Sequence, residues 1–185
     1  GGEQRGSRRR TRESELLHPV PSAVGATGFE PLAAPGLDLA ASLTCGQVFH
    51  WRPLGSGWLG AVGTVPVYLE QAESGEIWVN GEAREVAADY LALDLPIEEI
   101  HASFPQDEPM QVALRFCPGL RILRQPAWEC LATFITSALK QVAHIAQISH
   151  LLRERFGAAL EWNGHRLHAY PTPERLAALA DSDLR

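Results

Sequence analysis

The hydropathy period of this chain changes once, near Gly81, and that change limits the fold more than any other feature. Before it, short segments of strand character follow one another: residues 47–51 (QVFHW), 57–61 (GWLGA), 65–69 (VPVYL) and 77–79 (IWV). Gly55-Ser56-Gly57, Gly63-Thr64 and Ser74-Gly75 lie between them as turn signals. Such close spacing predicts antiparallel hairpins in a meander. Pro66 has no N–H to give to a ladder, so its strand is expected at an edge or with a late start.

After Gly81 the apolar residues recur at helical steps. Residues 82–93 read as a helix with Val86, Tyr90 and Leu93 on one face. Residues 97–104 and 109–116 read as short helices, and Pro118-Gly119 breaks the chain. In residues 127–156, Leu131, Ile135, Ala138, Val142, Ile145, Leu152 and Phe156 form an apolar stripe. That stretch is long for one globular helix, so a turn near residues 136–139 is expected to divide it. Another helix starts at Pro173 with Thr172 as its N-cap. The fold class expected is α+β, an N-terminal antiparallel sheet with flanking helices followed by the start of an all-α domain. Three parts are expected: a disordered Arg-rich lead-in (1–28), a sheet domain (29–118) and an incomplete helical domain (119–185). No Met opens the chain and the helical part looks unfinished, so a fragment of a longer protein is expected.

A length of 185 residues with 45% hydrophobic and 21% charged residues is ordinary globular composition. No apolar run approaches the roughly 18 residues that span a bilayer. Cys45, Cys117 and Cys130 lie far apart without CxxC spacing, so neither a disulfide framework nor a zinc finger is indicated. They are expected as reduced, mostly buried thiols of an intracellular protein. The net charge of −6 conceals a segregation. Residues 68–108 hold eleven acids and one base, whereas 109–157 hold six bases and two acids. An anionic partner would meet the second of these stretches and avoid the first.

Ordinary catalytic constellations are scarce. No Gly-x-Gly-x-x-Gly, Walker loop, His-Glu-x-x-His or nucleophile elbow occurs. His165-x-x-His168 is the one ligand-like histidine pair, and with no Cys or carboxylate at helical spacing it reads as surface histidines rather than a metal site. No cofactor is expected. The sixteen bases include a single lysine, Lys140, so Schiff-base chemistry by this chain must use it or a terminal amine.

Thr133, Ser137, Lys140, His144 and Gln147 recur opposite the apolar stripe, with no carboxylate between Glu129 and Glu154. A solvated helix face has such a pattern, and so does a surface for phosphate oxygens, which accept hydrogen bonds and attract cations. In residues 43–51, Gly46 precedes a strand-like run. Either a ligand approaches its backbone, or it makes a hairpin turn with Phe49 and Trp51 as core.

Two stretches together resemble a known family. Residues 43–52 (LTCGQVFHWR) look like the opening of the 8-oxoguanine DNA glycosylase N-terminal domain, where an apolar-Ser-Gly-Gln-x-Phe-x-Trp-Arg run begins a TBP-like sheet. Residues 120–156, with Leu123-Arg124-Gln125-Pro126 and Trp128-Glu129-Cys130-Leu131 before Phe134-Ile135-Thr136-Ser137, resemble the first helical segment of the same family. The resemblance covers residues 36–185 and implies a base-excision DNA repair enzyme of the helix-hairpin-helix superfamily, a glycosylase and AP lyase acting on oxidised purines. Such enzymes flip a damaged purine from the duplex and cleave its glycosidic bond. It implies base recognition by Gly46, Gln47 and Phe49. The Gly46 carbonyl would face N7–H of 8-oxoguanine, a proton that guanine lacks. Ser137, Lys140, Gln141 and His144 are the expected DNA-binding residues, double-stranded DNA with a damaged purine the partner, and a monomer in the cytoplasm, nucleoid or nucleus the expected form.

The chain also departs from the family. An Asn-rich run, one member of which contacts the orphaned cytosine, is here Ala138-Leu139-Lys140-Gln141, and Leu139 donates no hydrogen bond. His144 stands in place of an Arg. The family's Leu-Pro-Gly-Val-Gly-x-Lys-like run, with its nucleophilic lysine, and its later aspartate have no match in these 185 residues, so no catalytic residue is expected here. A glycosylase of the 3-methyladenine type, or a non-catalytic DNA-binding α+β module, are the alternatives.

Overall fold

The computed structural model describes residues 20–180 and 182–183. Five strands, β1 (Phe29–Leu32), β2 (Arg52–Leu54), β3 (Gly57–Val62), β4 (Val65–Gln71) and β5 (Ile77–Asn80), form one antiparallel sheet in the order β1-β5-β4-β3-β2. The meander expected from the turn signals is therefore β2–β5, and β1 adds to its far edge.

Pro66 lies in an interior strand, not at an edge. The β4–β5 ladder starts late, at Leu69 opposite Val79. Ahead of it the Asn80 side chain bridges the strands, accepting from Tyr68 N at 2.8 Å and donating to Pro66 O at 3.2 Å. The missing proline N–H therefore leaves no gap in the sheet.

Helices cover one face of the sheet. α1 (Leu39–Thr44) is capped by Asp38, which accepts from Ala41 N at 2.8 Å. α2 (Arg84–Tyr90) follows a 3₁₀ turn and sends Ala87 and Tyr90 into a core with Leu32, Leu39, Val67, Leu69, Ile77 and Val79. Trp51 completes this core by lying on Gly60: a Cβ there would meet the indole ring at 2.6 Å. α3 (Ile97–Ala102) and α4 (Glu108–Phe116) lie outside the core and bury no residue of their own.

The long stripe divides as expected, into α5 (Ala127–Ser137) and α6 (Val142–Phe156). Little of it is buried. Ile145 is, while Leu131, Ile135 and Val142 stay exposed.

Several expectations are corrected. Residues 47–51 are not a strand: the Gln47 carbonyl is taken by the Gln125 side chain, and the ladder begins only at Arg52. The lead-in expected over 1–28 is ordered from Val20 onward, and its first nineteen residues lie outside the described ones. Ala23 is fully buried, and Ser22 Oγ and Ala23 N donate to the Glu70 carboxylate at 2.6 and 2.7 Å. Cys45 and Cys130 are exposed rather than buried. After α6 a hairpin, β6 (Ala159–Trp162) and β7 (His165–His168), turns at Asn163-Gly164 with φ of 45° and 75°. Its Trp162 stacks on Tyr68, with centroids 5.0 Å apart and planes 9° apart, so the chain returns to the first sheet before α7 (Pro173–Ala177). His165 is buried by that return and is not a surface histidine.

Candidate nucleic-acid interface

Gly46 follows the end of α1, where Cys45 N closes the last turn on Ala41 O. Its φ of 94° lies in the region open to glycine, it is exposed, and a Cβ built there would meet nothing within 4 Å. Solvent, not protein, lies against this backbone.

The Gln47 side chain is bonded within the protein. Its Nε2 donates to Arg121 O at 2.8 Å and its Oε1 accepts from Leu123 N at 3.0 Å. Gln125 Nε2 returns a bond to Gln47 O at 3.0 Å. The amide thus holds the Gly46 turn against residues 121–125, the segment that leads into α5. Phe49 is half-buried and lines a cleft of about 340 Å³ with His50, Arg52, Arg153, Arg166 and His168.

Lys140, Gln141 and His144 are exposed at the junction of α5 and α6, and Ser137 closes α5 with its hydroxyl on Phe134 O at 2.7 Å. Gln141 is the N-cap of α6 but makes no side-chain capping bond, and no acid lies in the first turn. The first N–H groups of a 15-residue helix therefore point outward beside Lys140, with the positive end of its dipole. That arrangement suits a phosphate. The Gly46 turn and this loop lie at opposite ends of α5, which spans about 16 Å for its eleven residues.

The basic stretch 109–157 is smaller as a surface than as a sequence. Arg121 is buried and donates to Ala92 O and Leu95 O, at 2.9 and 3.3 Å. Arg124 is held by Asp89 and Asp94, and Arg153 pairs with Glu129 inside the protein. Arg115, Lys140 and Arg155 are exposed and form no ion pair among the described residues.

Sequence reasoning missed the cluster that joins these parts. Glu129 of α5 and Arg153 of α6 are both about 95% withdrawn from solvent, and His50 Nδ1 lies 3.5 Å from the same carboxylate. Arg153 also donates to His168 O at 3.3 Å, and its guanidinium lies 5.2 Å from the Tyr170 ring centre. Burial, then the Arg153 charge, holds the His50 pKa well below 6.5, so its imidazole is neutral at neutral pH. Burial lowers Arg153 to about 10, which leaves it charged. The available signal was two charged residues on otherwise apolar faces of adjoining helices.

Among the described residues no three His, Cys, Asp or Glu side chains gather as metal ligands, and no helix is long and apolar enough to cross a membrane.

Residues 31–131 match the family described as 8-oxoguanine DNA glycosylase, N-terminal domain. An N-glycosylase/DNA lyase of Arabidopsis thaliana is 25% identical over 87% of this chain and 47% of its own length. A DNA-3-methyladenine glycosylase of Bacillus subtilis is 25% identical over 63% of this chain and 39% of its own length. The chain thus spans under half of either relative. The fold is that of the Clostridium acetobutylicum 8-oxoguanine glycosylase/lyase, solved with double-stranded DNA containing cytosine opposite 8-oxoguanine. The TM-score is 0.75 at 24% identity, over 84% of this chain and 58% of that one.

Proposed function

Because the chain belongs to the 8-oxoguanine DNA glycosylase N-terminal-domain family, we propose that it grips duplex DNA and presents an oxidised purine for base excision. The observation that carries this reading is the α5–α6 junction: an uncapped helix start, Lys140 and His144, with no acid in the first turn. These groups take backbone phosphates and fix the register of the duplex. Gly46 presents a carbonyl that accepts from N7–H of 8-oxoguanine and meets the N7 lone pair of guanine. A hydrogen bond in one case and repulsion in the other is worth a few kcal/mol, about a hundredfold in selection. Gln47 positions that carbonyl through its bonds to residues 121–125.

The glycosylase and lyase chemistry belongs to a nucleophilic lysine and an aspartate that these residues do not supply. Lys140 lies exposed on a loop and outside any match to the family's nucleophilic run. Action as a monomer inside the cell, on double-stranded DNA, completes the proposal. A 3-methyladenine type of specificity is the second reading, favoured by Leu139, which cannot hydrogen-bond a cytosine, and by the Bacillus match.

Borohydride trapping tests the reading. The 185 residues are expected to bind duplex DNA, to release no base from 8-oxoguanine or alkylpurine duplexes, and to leave no trapped adduct on an abasic site. An adduct that disappears in Lys140→Ala would make Lys140 the nucleophile and overturn it.

A further inference from the structure

We propose that the cavity between α3 and α4 binds a small carboxylic acid with an apolar chain, its carboxylate held by the guanidinium of Arg121. The site shares no residue with the α5–α6 junction and does not rest on the DNA-binding reading above.

α3 and α4 bury no residue of their own, yet each carries an apolar stripe at helical spacing. Ile97, Ile100 and Phe104, in and just after α3, line a cavity of about 240 Å³ together with Met110, Ala113 and Leu114 of α4. That volume exceeds the roughly 150 Å³ that admits a benzene ring, and by proportion it takes a chain of about eight carbons. Apolar walls of this kind make a ligand site when a few polar groups are fixed among them.

Arg121 is such a group. It is buried, lines the cavity and forms no ion pair among the described residues. Its Nη1 donates to Ala92 O and Leu95 O at 2.9 and 3.3 Å, and those carbonyls bring no net charge. Asp94, the acid between them in sequence, is taken by Arg124 at 2.7 Å. Arg153, the other buried arginine described, has Glu129 as its counter-charge. A guanidinium withdrawn from water without one is costly, and a carboxylate supplies it through two parallel N–H bonds. The main chain of Arg121 is fixed separately. Its N donates to Ser42 Oγ at 3.1 Å, and its O accepts from Gln47 Nε2 at 2.8 Å. The cation is thus positioned before a ligand arrives, which keeps the cost of ordering low. The same two helices carry exposed Glu98, Glu99 and Glu108. They repel a bare inorganic anion, so the apolar chain has to supply the affinity.

Calorimetric titration of the chain with octanoate, butanoate, acetate and 1-octanol tests the site. Octanoate should bind saturably at one site, and each methylene from butanoate to octanoate should tighten binding about fourfold. 1-Octanol fits the cavity without the charge and should bind at least about tenfold more weakly than octanoate. Acetate should not bind. Ala113→Phe puts a ring at an exposed position of the cavity wall and should abolish octanoate binding while the chain stays folded by circular dichroism. Arg121→Met should bind octanoate and 1-octanol alike; should it fail to fold, the 1-octanol comparison and Ala113→Phe decide alone. Equal affinity of the unaltered chain for octanoate and 1-octanol overturns the proposal, and so does equal affinity for octanoate and acetate, which would mean an adventitious ion only. Undiminished octanoate binding in Ala113→Phe, or no saturable binding of octanoate at all, overturns it as well.

Discussion

Glu129 and Arg153 face one another across α5 and α6 as an ion pair withdrawn from water. A buried pair of this kind adds little net stability, but half of one is costly. Arg153→Met should therefore destabilise the chain by about 3–5 kcal/mol in denaturant unfolding, because it strands the Glu129 carboxylate. The double variant Glu129→Leu with Arg153→Met should recover most of that loss. Additive losses would show that the pair is not what couples the helices.

His50 gives the stability a pH dependence of known sign. Its pKa in the folded chain lies well below the 6.5 of the unfolded chain, through burial and the Arg153 charge. Below about pH 6.5 the unfolded chain takes up this proton and the folded chain does not. Stability then falls as pH drops from 7 toward 5, by up to about 1.4 kcal/mol per pH unit from this group. His50→Gln should remove that component of the slope in unfolding measured across this window. Parallel curves for the two proteins would contradict the assignment.

Trp162 lies flat on Tyr68 and edge-on to Phe29, whose centroid is 6.2 Å away. Through it the last hairpin is tied to the first sheet. Trp162→Ala should cost about 2–3 kcal/mol and unfold hairpin and sheet together. Hydrogen exchange reads this: loss of protection in β6 and β7 alone would mean that the hairpin is a separate unit.

Much of this architecture was legible in the sequence. Period-two segments and glycine turns gave the meander, and the excessive length of 127–156 for one helix gave a turn near 136–139, close to the observed α5–α6 break at 138–141. The failures have physical causes. QVFHW alternates like a strand, yet Gln125 takes the Gln47 carbonyl and the Gln47 side chain turns to the backbone of residues 121 and 123. Asn163-Gly164 is a strong hairpin signal, but its flanks, ALEW and HRLH, are too polar to read as strands until Trp162 meets Tyr68. In the site, residue types offered Lys140 and His144 as phosphate partners, and both are exposed. They could not tell that Arg121, Arg124 and Arg153 are spent on carbonyls and carboxylates, since that depends on contacts distant in sequence.

Gly46→Ala separates lesion reading from folding. A Cβ at Gly46 meets no protein atom within 4 Å, and only its φ of 94° costs stability, about 1–2 kcal/mol. Competition between 8-oxoguanine and undamaged duplexes should show a loss of lesion preference larger than the loss of undamaged-duplex affinity. Equal losses would mean that Gly46 serves the turn alone.

The central claim, that the α5–α6 junction holds backbone phosphates, is tested most directly by the salt dependence of duplex affinity. Plots of log K against log salt concentration for the unaltered chain and for Lys140→Ala should both fall linearly, the variant with a slope shallower by about one unit and a weaker affinity at low salt. Identical slopes and affinities would contradict the claim and leave Lys140 as part of a solvated helix junction.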